Sequence, residues 1–276
     1  MVGTDKTSLN PLFTNPLETS PGLTVDDLNR YLSAIRKTHE LSSEIEILEE
    51  GVFLGDALDG LKRLPDESID LILTAPPESP WRDIGTQGKR MTIQEYFQWS
   101  NRWLRESHRV LKKTGSMYLL CGWRFSGMYH SILSDYFKVQ TRITWRNKKI
   151  KGREKLKSWE NELGDIWFAT KTNAFIFNNE ISENESISEN FKEVRNMSNL
   201  WMEYYHSPDK KYRYEIPNLL LRKIMDVSSY KLSWVVDPFM RQGSVGVAVK
   251  NLGRRFIGFE TDKDSLLLAM KRIDNA

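Results

Sequence analysis

The stretch Ser233-Trp234-Val235-Val236-Asp237-Pro238-Phe239-Met240-Arg241-Gln242-Gly243-Ser244-Val245-Gly246 joins an apolar run ending in an acid to a glycine-bearing loop. Val247, Ala248 and Val249 continue it with helical character. Arg254-Arg255-Phe256-Ile257-Gly258-Phe259-Glu260 is a second apolar run that again ends in an acid. Strand, loop, helix and strand in that order form a β-loop-α-β unit, so the sequence predicts an α/β fold. In such a unit the tight loop brings backbone close to a nucleotide-like ligand, and the second acid can accept hydrogen bonds from ribose hydroxyls. Asp237 and Glu260 stand near the roughly 20-residue separation expected of that acid.

Neither Gly-x-Gly-x-x-Gly nor Gly-Lys-Ser/Thr is present, so a dinucleotide or a triphosphate is disfavoured. An acid at the end of the first strand would repel a pyrophosphate and could hold a cation. That fits the amino acid part of S-adenosylmethionine.

Upstream, Asp70-Leu71-Ile72-Leu73-Thr74-Ala75-Pro76-Pro77-Glu78 is an apolar run halted by two prolines. Proline has no N–H and fixes its own φ, and each proline pushes its predecessor towards extended geometry. The chain must therefore leave the strand rigidly at Ala75. A strand-end loop in an α/β sheet lies at the carboxyl edge where ligands bind, and its carbonyls lack a ladder partner. Such carbonyls suit an amino group.

Around these two segments the pattern alternates. Residues 1–23 carry Asn-Pro and Ser-Pro-Gly turns and read as an arm, followed by a helix capped by Thr24 with Leu28, Tyr31, Leu32 and Ile35 on one face. Strands are expected at 45–54, 70–74, 116–121, 139–145 and 164–170, and helices at 57–64, 92–112, 125–136 and 215–227. Thr92 and Glu95 resemble a capping box, and Pro217 is tolerated in a first turn. The 276 residues, 39% hydrophobic and 28% charged, suit one globular core. No apolar run approaches the roughly 20 residues that span a bilayer, and no signal segment is visible, so a cytoplasmic, membrane-free protein is expected. The single cysteine, Cys121, excludes an intramolecular disulfide and a cysteine-cluster metal site, and no metal is expected.

Net charge is only +3, but residues 138–157 hold nine Lys and Arg against Glu154 alone. Arg146, Lys148, Lys149, Lys151 and Arg153, set between Trp145 and Trp159, form the footprint expected against a phosphate backbone. Residues 178–190, rich in Asn, Ser and Glu, read as a polar surface loop.

Taken together these segments resemble the amino-methyltransferases of DNA, the N6-adenine and N4-cytosine enzymes, in the permuted (beta) order that places the catalytic motif before the cofactor motif. Gly55-Asp56-Ala57-Leu58, Leu64 to Ile72, Glu106 to Ser116, Asp237-Pro238-Phe239 with Gly243-Ser244, Ile257 to Glu260 and Ala269 to Ile273 carry the resemblance, which covers most of residues 51–273. It implies a Rossmann-like S-adenosylmethionine-dependent methyltransferase with a mixed seven-stranded sheet and helices on both faces. The domain would span 45–276, after an arm and helix at 1–44, with DNA-contacting insertions at about 79–92 and 146–205. By resemblance Asp56 and Ala57 would meet the cofactor's adenine, Asp237 and Phe239 its methionine side and Glu260 its ribose. Gly243 and Ser244 would form the cofactor loop, and Pro217 would open the helix beside the methionine.

The catalytic loop departs from the family pattern of Asp, Asn or Ser, then Pro-Pro, then an aromatic: here the outer positions are Ala75 and Glu78. In the family the polar side chain and a loop carbonyl hold the exocyclic amine of a flipped base, which stacks on the aromatic. With Ala75 the carbonyls of Pro76 and Pro77 remain, and Trp81 is the candidate stacking face. Thr74-Ala75-Pro76-Pro77 differs by one oxygen from the cytosine enzymes' Thr-Ser-Pro-Pro, and Ile216 before Pro217 leans the same way. The expected activity is methylation of an exocyclic amine in duplex DNA, N4 of cytosine favoured over N6 of adenine, in restriction-modification or epigenetic marking. The alternative is a catalytically impaired DNA- or cofactor-binding homologue. At this length no large recognition domain fits, which points to a homodimer. Cys121, in an apolar run, reads as a core residue rather than the nucleophile of C5 chemistry, and His206 as a solvated or DNA-adjacent side chain.

Overall fold

The computed structural model describes residues 22–78, 90–146, 162–178, 198–202 and 215–276. In chain order these carry α1 (Val25–Leu32), β1 (Arg36–Lys37), β2 (Gly51–Leu54), α2 (Ala57–Arg63), β3 (Ile69–Thr74), α3 (Ile93–Val110), β4 (Leu111–Gly122) and α4 (Trp123–Tyr136). They continue through β5 (Lys138–Arg146), β6 (Leu163–Thr170), β7 (Leu200–Trp201), α5 (Asn218–Ser228), β8 (Trp234–Asp237), α6 (Ser244–Asn251), β9 (Arg255–Glu260) and α7 (Lys263–Asp274).

The strands form one mixed sheet in the order β1-β2-β9-β8-β3-β4-β6-β5-β7. The first six of these are mutually parallel, β6 runs antiparallel to both neighbours, and β7 lies parallel to β5. The expected seven strands are the body of this sheet. The two additional ones, β1 and β7, are two-residue strands at its edges, too short to leave a sequence signal. β1 adds Arg36 and Lys37, ahead of the expected boundary at residue 45, to the sheet. The expected strand at 45–54 is shorter: residues 45–47 form a single 3-10 turn before β2. Within the expected insertion at 146–205, residues 163–170 are the sheet strand β6, paired on both sides.

Every residue of β3 is buried, as in a parallel strand covered on both faces. One layer, α2, α3 and α4, packs a core of Phe53, Leu61, Ile72, Tyr96, Trp99, Trp103 and Met117. The other, α5, α6 and α7, packs Leu71, Leu73, Leu220, Val235, Val245 and Ala248. The period of α3 explains its seating: Tyr96, Trp99, Trp103, Leu104, Ser107 and Val110 fall on one buried stripe, and the Thr92–Glu95 capping box starts it. The helix α1 adds to the second layer through Leu23, Tyr31 and Leu267, with Lys271 donating to Gly22 O and Asp27 Oδ2.

From β3 the chain crosses through α3 to β4 on one side, and from β8 it crosses through α6 to β9 on the other. The neighbours β3 and β8 therefore flank a topological switch point. Ligands of open α/β sheets bind in the crevice beyond such strand ends.

Candidate functional site

At the switch point Thr74, the last residue of β3, donates its hydroxyl to Asp237 Oδ1 at 2.7 Å, and Phe239 N donates to the same oxygen at 3.1 Å. Asp237 is 3% exposed. Burial pushes its carboxyl up to about 7, against the pull of the Thr74 and Phe239 hydrogen bonds and the positive charge of Arg241, with the negative charge of Glu260 adding to the rise. Two loops leave from this bond, 75–78 after β3 and 238–243 after β8.

Each proline carbonyl of the first loop has a donor nearby. Tyr96, on α3, donates to Pro77 O at 2.5 Å and shares a 2.8 Å hydrogen bond with Tyr129 of α4. Burial lifts the Tyr96 phenol to about 12, so it stays a donor. Arg241 reaches Pro76 O at the long distance of 3.5 Å. A carbonyl has two lone pairs, so Pro76 O keeps room for a second donor. Ala75 is half-buried, Pro76 buried and Glu78 exposed. The negative charge of Glu78 adds to the rise of the Tyr96 and Cys121 groups, behind the larger effect of burial.

On the other side of the switch point lie the expected cofactor residues. Gly243 sits at φ 78°, a left-handed turn that caps α6 without a side chain. Its loop is fastened by Arg272 of α7, which donates to Gln242 O and to Glu215 Oε1, both at 2.7 Å, tying the segment around Pro217 to the loop. Pro217 is the N-cap of α5. Glu260 closes β9, and its Oε1 accepts from Thr261 N and Asp262 N at 2.8 Å each. Burial raises its carboxyl while these backbone donors oppose the rise. Asp56 ends the β2 turn as the N-cap of α2, its Oδ1 accepting from Leu58 N at 2.8 Å, with Ala57 buried behind it. Gly55 N donates to Glu260 O, so the β2 and β9 ends lie side by side. Gln242 Oε1 is buried with no hydrogen-bond partner among the described residues. A row of carboxylates with one unmatched amide oxygen suits a ligand rich in cationic and hydroxyl donors.

Phe239, expected beside the methionine of the cofactor, is half-buried. Its ring packs against Trp99 and Trp103, centroids 5.3 and 5.1 Å away, so it anchors the loop in the aromatic core. Trp145 is likewise a core residue, and Cys121 is buried with its thiol pushed up to about 12 by burial and the charge of Asp165. Arg146 closes β5, its Nε 3.8 Å from Glu162. Trp81, Lys148, Lys149, Lys151, Arg153, Trp159 and His206 lie outside the described residues. Among the described residues no group of three or more potential metal ligands gathers, and no helix is long and apolar enough to cross a membrane.

Thr74, Tyr96 and Arg272 are the residues that sequence reasoning missed. Thr74 was legible only as the end of a strand, because its partner stands 163 positions away. Tyr96 and Arg272 carried no local signal beyond helical periodicity.

A DNA methylase family model, that of the N6 and N4 enzymes, matches residues 69–271. Type II methyltransferase M.HpaI of Haemophilus parainfluenzae is 29% identical over 242 residues, covering 83% of this chain and 75% of that protein. The solved PvuII DNA methyltransferase (cytosine-N4-specific) superposes with a TM-score of 0.63 at 18% identity, over 80% of this chain and 85% of that one. The M1.HpyAVI–SAM complex superposes with a TM-score of 0.58 at 24% identity, over 80% and 98%. At these identities the two solved structures speak to the fold.

Proposed function

Because the chain belongs to the DNA methylase family of N6 and N4 enzymes, we propose that it methylates N4 of cytosine in duplex DNA. It is an S-adenosylmethionine-dependent DNA methyltransferase. The observation that carries the reading is the Thr74–Asp237 hydrogen bond, which locks the proline loop to the carboxylate crevice at the switch point.

The crevice fits the cofactor. Asp237 is a buried acid able to face its ammonium and sulfonium charge, Glu260 an acceptor for ribose hydroxyls, and Gln242 Oε1 an acceptor in want of a donor. When bound, S-adenosylmethionine supplies the methyl group on a positively charged sulfur. The chain's own residues then have two tasks. Tyr96 and Arg241 hold the proline loop still, and the Pro76 carbonyl accepts an N–H of the target amine. An acceptor held there localises the nitrogen lone pair for attack, and no reorganisation is required at the moment of reaction. Ala75 adds no side-chain acceptor, which places the whole grip on backbone.

Cytosine is favoured over adenine by the single-oxygen departure at Ala75 and by Ile216 before Pro217. Arg146 is assigned to the DNA backbone together with Lys148, Lys149, Lys151 and Arg153, and a second copy of the chain completes recognition of a duplex. The relation to a type II methyltransferase supports a restriction-modification role.

The test is incubation with methyl-labelled S-adenosylmethionine and unmethylated genomic DNA, followed by nucleoside analysis. N4-methylcytosine supports the proposal and N6-methyladenine overturns the base assignment. Tight cofactor binding with no methylated nucleoside identifies the impaired homologue instead.

A further inference from the structure

The carboxyl edge of the sheet continues past the catalytic loop, and what it carries there differs from the carboxylate side. Thr74, the last residue of β3, pairs with Leu119 of β4, so β4 runs on through 120–122 past the level at which β3 ends. Next along the edge come Gly122 and Trp123. Gly164 pairs with Gly122, and Arg146 pairs with Leu163, so the row ends in Leu163 and Arg146.

Trp123 is the first residue of α4 and is 60% exposed. Trp99, Trp103, Trp145, Trp167 and Trp201 are buried and Trp234 is half-buried, so Trp123 is the one strongly exposed tryptophan among the described residues. Its backbone is nonetheless fixed. Two residues on, Phe125 is buried with its ring 5.2 Å from Tyr96, whose hydroxyl holds Pro77 O. The first turn of α4 and the catalytic loop thus share one aromatic anchor. Arg124 stands beside the indole, its guanidinium carbon 5.8 Å from the ring centroid. A tryptophan left in water costs hydrophobic free energy, and this one stands one residue past the end of the strand that neighbours β3, whose own loop offers no ring at Glu78.

Resting on the function proposed above, we infer that Trp123 is the stacking face for the base displaced from duplex DNA. A flipped base gives up its stacking in the duplex and needs a π-face in return. Trp123 supplies it from the start of α4, directly after the strand that neighbours β3, whose loop carbonyls hold the amine. Leu163 and Arg146 extend the same edge towards the duplex.

The test compares full-length wild type with Trp123→Ala, Trp123→Leu and Trp123→Phe on unmethylated genomic DNA. It measures kcat and KM for DNA, cofactor affinity by equilibrium dialysis and thermal unfolding. Trp123→Ala and Trp123→Leu should each lose about 10- to 100-fold in kcat/KM for DNA, the loss expected of one base–aromatic stack. Trp123→Phe should stay within about threefold of wild type, since a smaller ring still stacks. Cofactor affinity and unfolding temperature should be unchanged. Trp123→Ala with wild-type kcat/KM overturns the inference, as does Trp123→Leu performing like Trp123→Phe, because apolar contact alone would then suffice. A wild type that transfers no methyl group to DNA overturns the proposed function itself, an outcome visible before any variant is made.

Discussion

Asp237→Asn isolates the buried acid at the switch point. The folded carboxyl titrates at about 7 against an ordinary value of 3.8, because burial disfavours its charge more than Thr74, Phe239 and Arg241 favour it. A raised folded pKa means that the native state holds the proton more tightly than the unfolded chain. Its contribution to stability is therefore complete below about pH 4 and is lost as pH rises through about 7. Between pH 5 and pH 8 the wild type should give up about 3 kcal/mol at this one group, roughly 2 pH units of proton linkage. The asparagine keeps the shape and an oxygen for Thr74 and Phe239, and it cannot ionise. Its buried amide N–H groups cost about 1–3 kcal/mol at every pH. The variant should thus be less stable than wild type at pH 5 and level with it or better at pH 8. Urea unfolding of the ligand-free protein at the two pH values measures this directly. Glu260 also titrates high through burial, and losing the Asp237 charge eases its ionisation in the variant, which favours the variant further at pH 8. A stability difference that is the same at pH 5 and pH 8 refutes the reasoning. At pH 8 the variant should also bind S-adenosylmethionine at least about tenfold more weakly, since a carboxylate facing a cation has become neutral.

Three further changes probe the loop and its surroundings. Ala75→Ser restores a side-chain acceptor at the head of the proline loop and should raise kcat on cytosine by about tenfold or more; an unchanged kcat on an active background shows that the missing oxygen is immaterial. Tyr96→Phe removes the donor to Pro77 O and the link to Tyr129. It should cost about 1–3 kcal/mol in unfolding and lower kcat more than it raises KM for the cofactor, whereas wild-type stability together with wild-type kcat rules out the anchor. Cys121→Ala should methylate DNA within about threefold of wild type, because a buried thiol titrating at about 12 offers no thiolate at neutral pH. Rapid reaction of the native protein with a thiol reagent would contradict its burial.

The sequence determined a great deal because some constraints act over a few residues. Two adjacent prolines end β3 wherever it is placed, and the structure stops that strand at Thr74, one residue before Ala75. The spacing from Asp237 to Glu260 is a property of one β-loop-α-β unit, so the acids at the ends of β8 and β9 were legible from hydrophobic pattern alone. The helical stripe of α3 and its capping box were equally local. Tertiary structure decided everything that depends on which strands are neighbours. Placing β3 beside β8 turns Thr74 from a strand residue into the partner of Asp237 and raises the carboxyl of that acid by burying it. Packing also drew Phe239 towards Trp99 and Trp103, and it left Trp123 in solvent while burying Trp145. These outcomes have one physical reason. Side-chain chemistry is written residue by residue, but burial and hydrogen-bond partners are set by residues more than a hundred positions apart that only the folded sheet brings together.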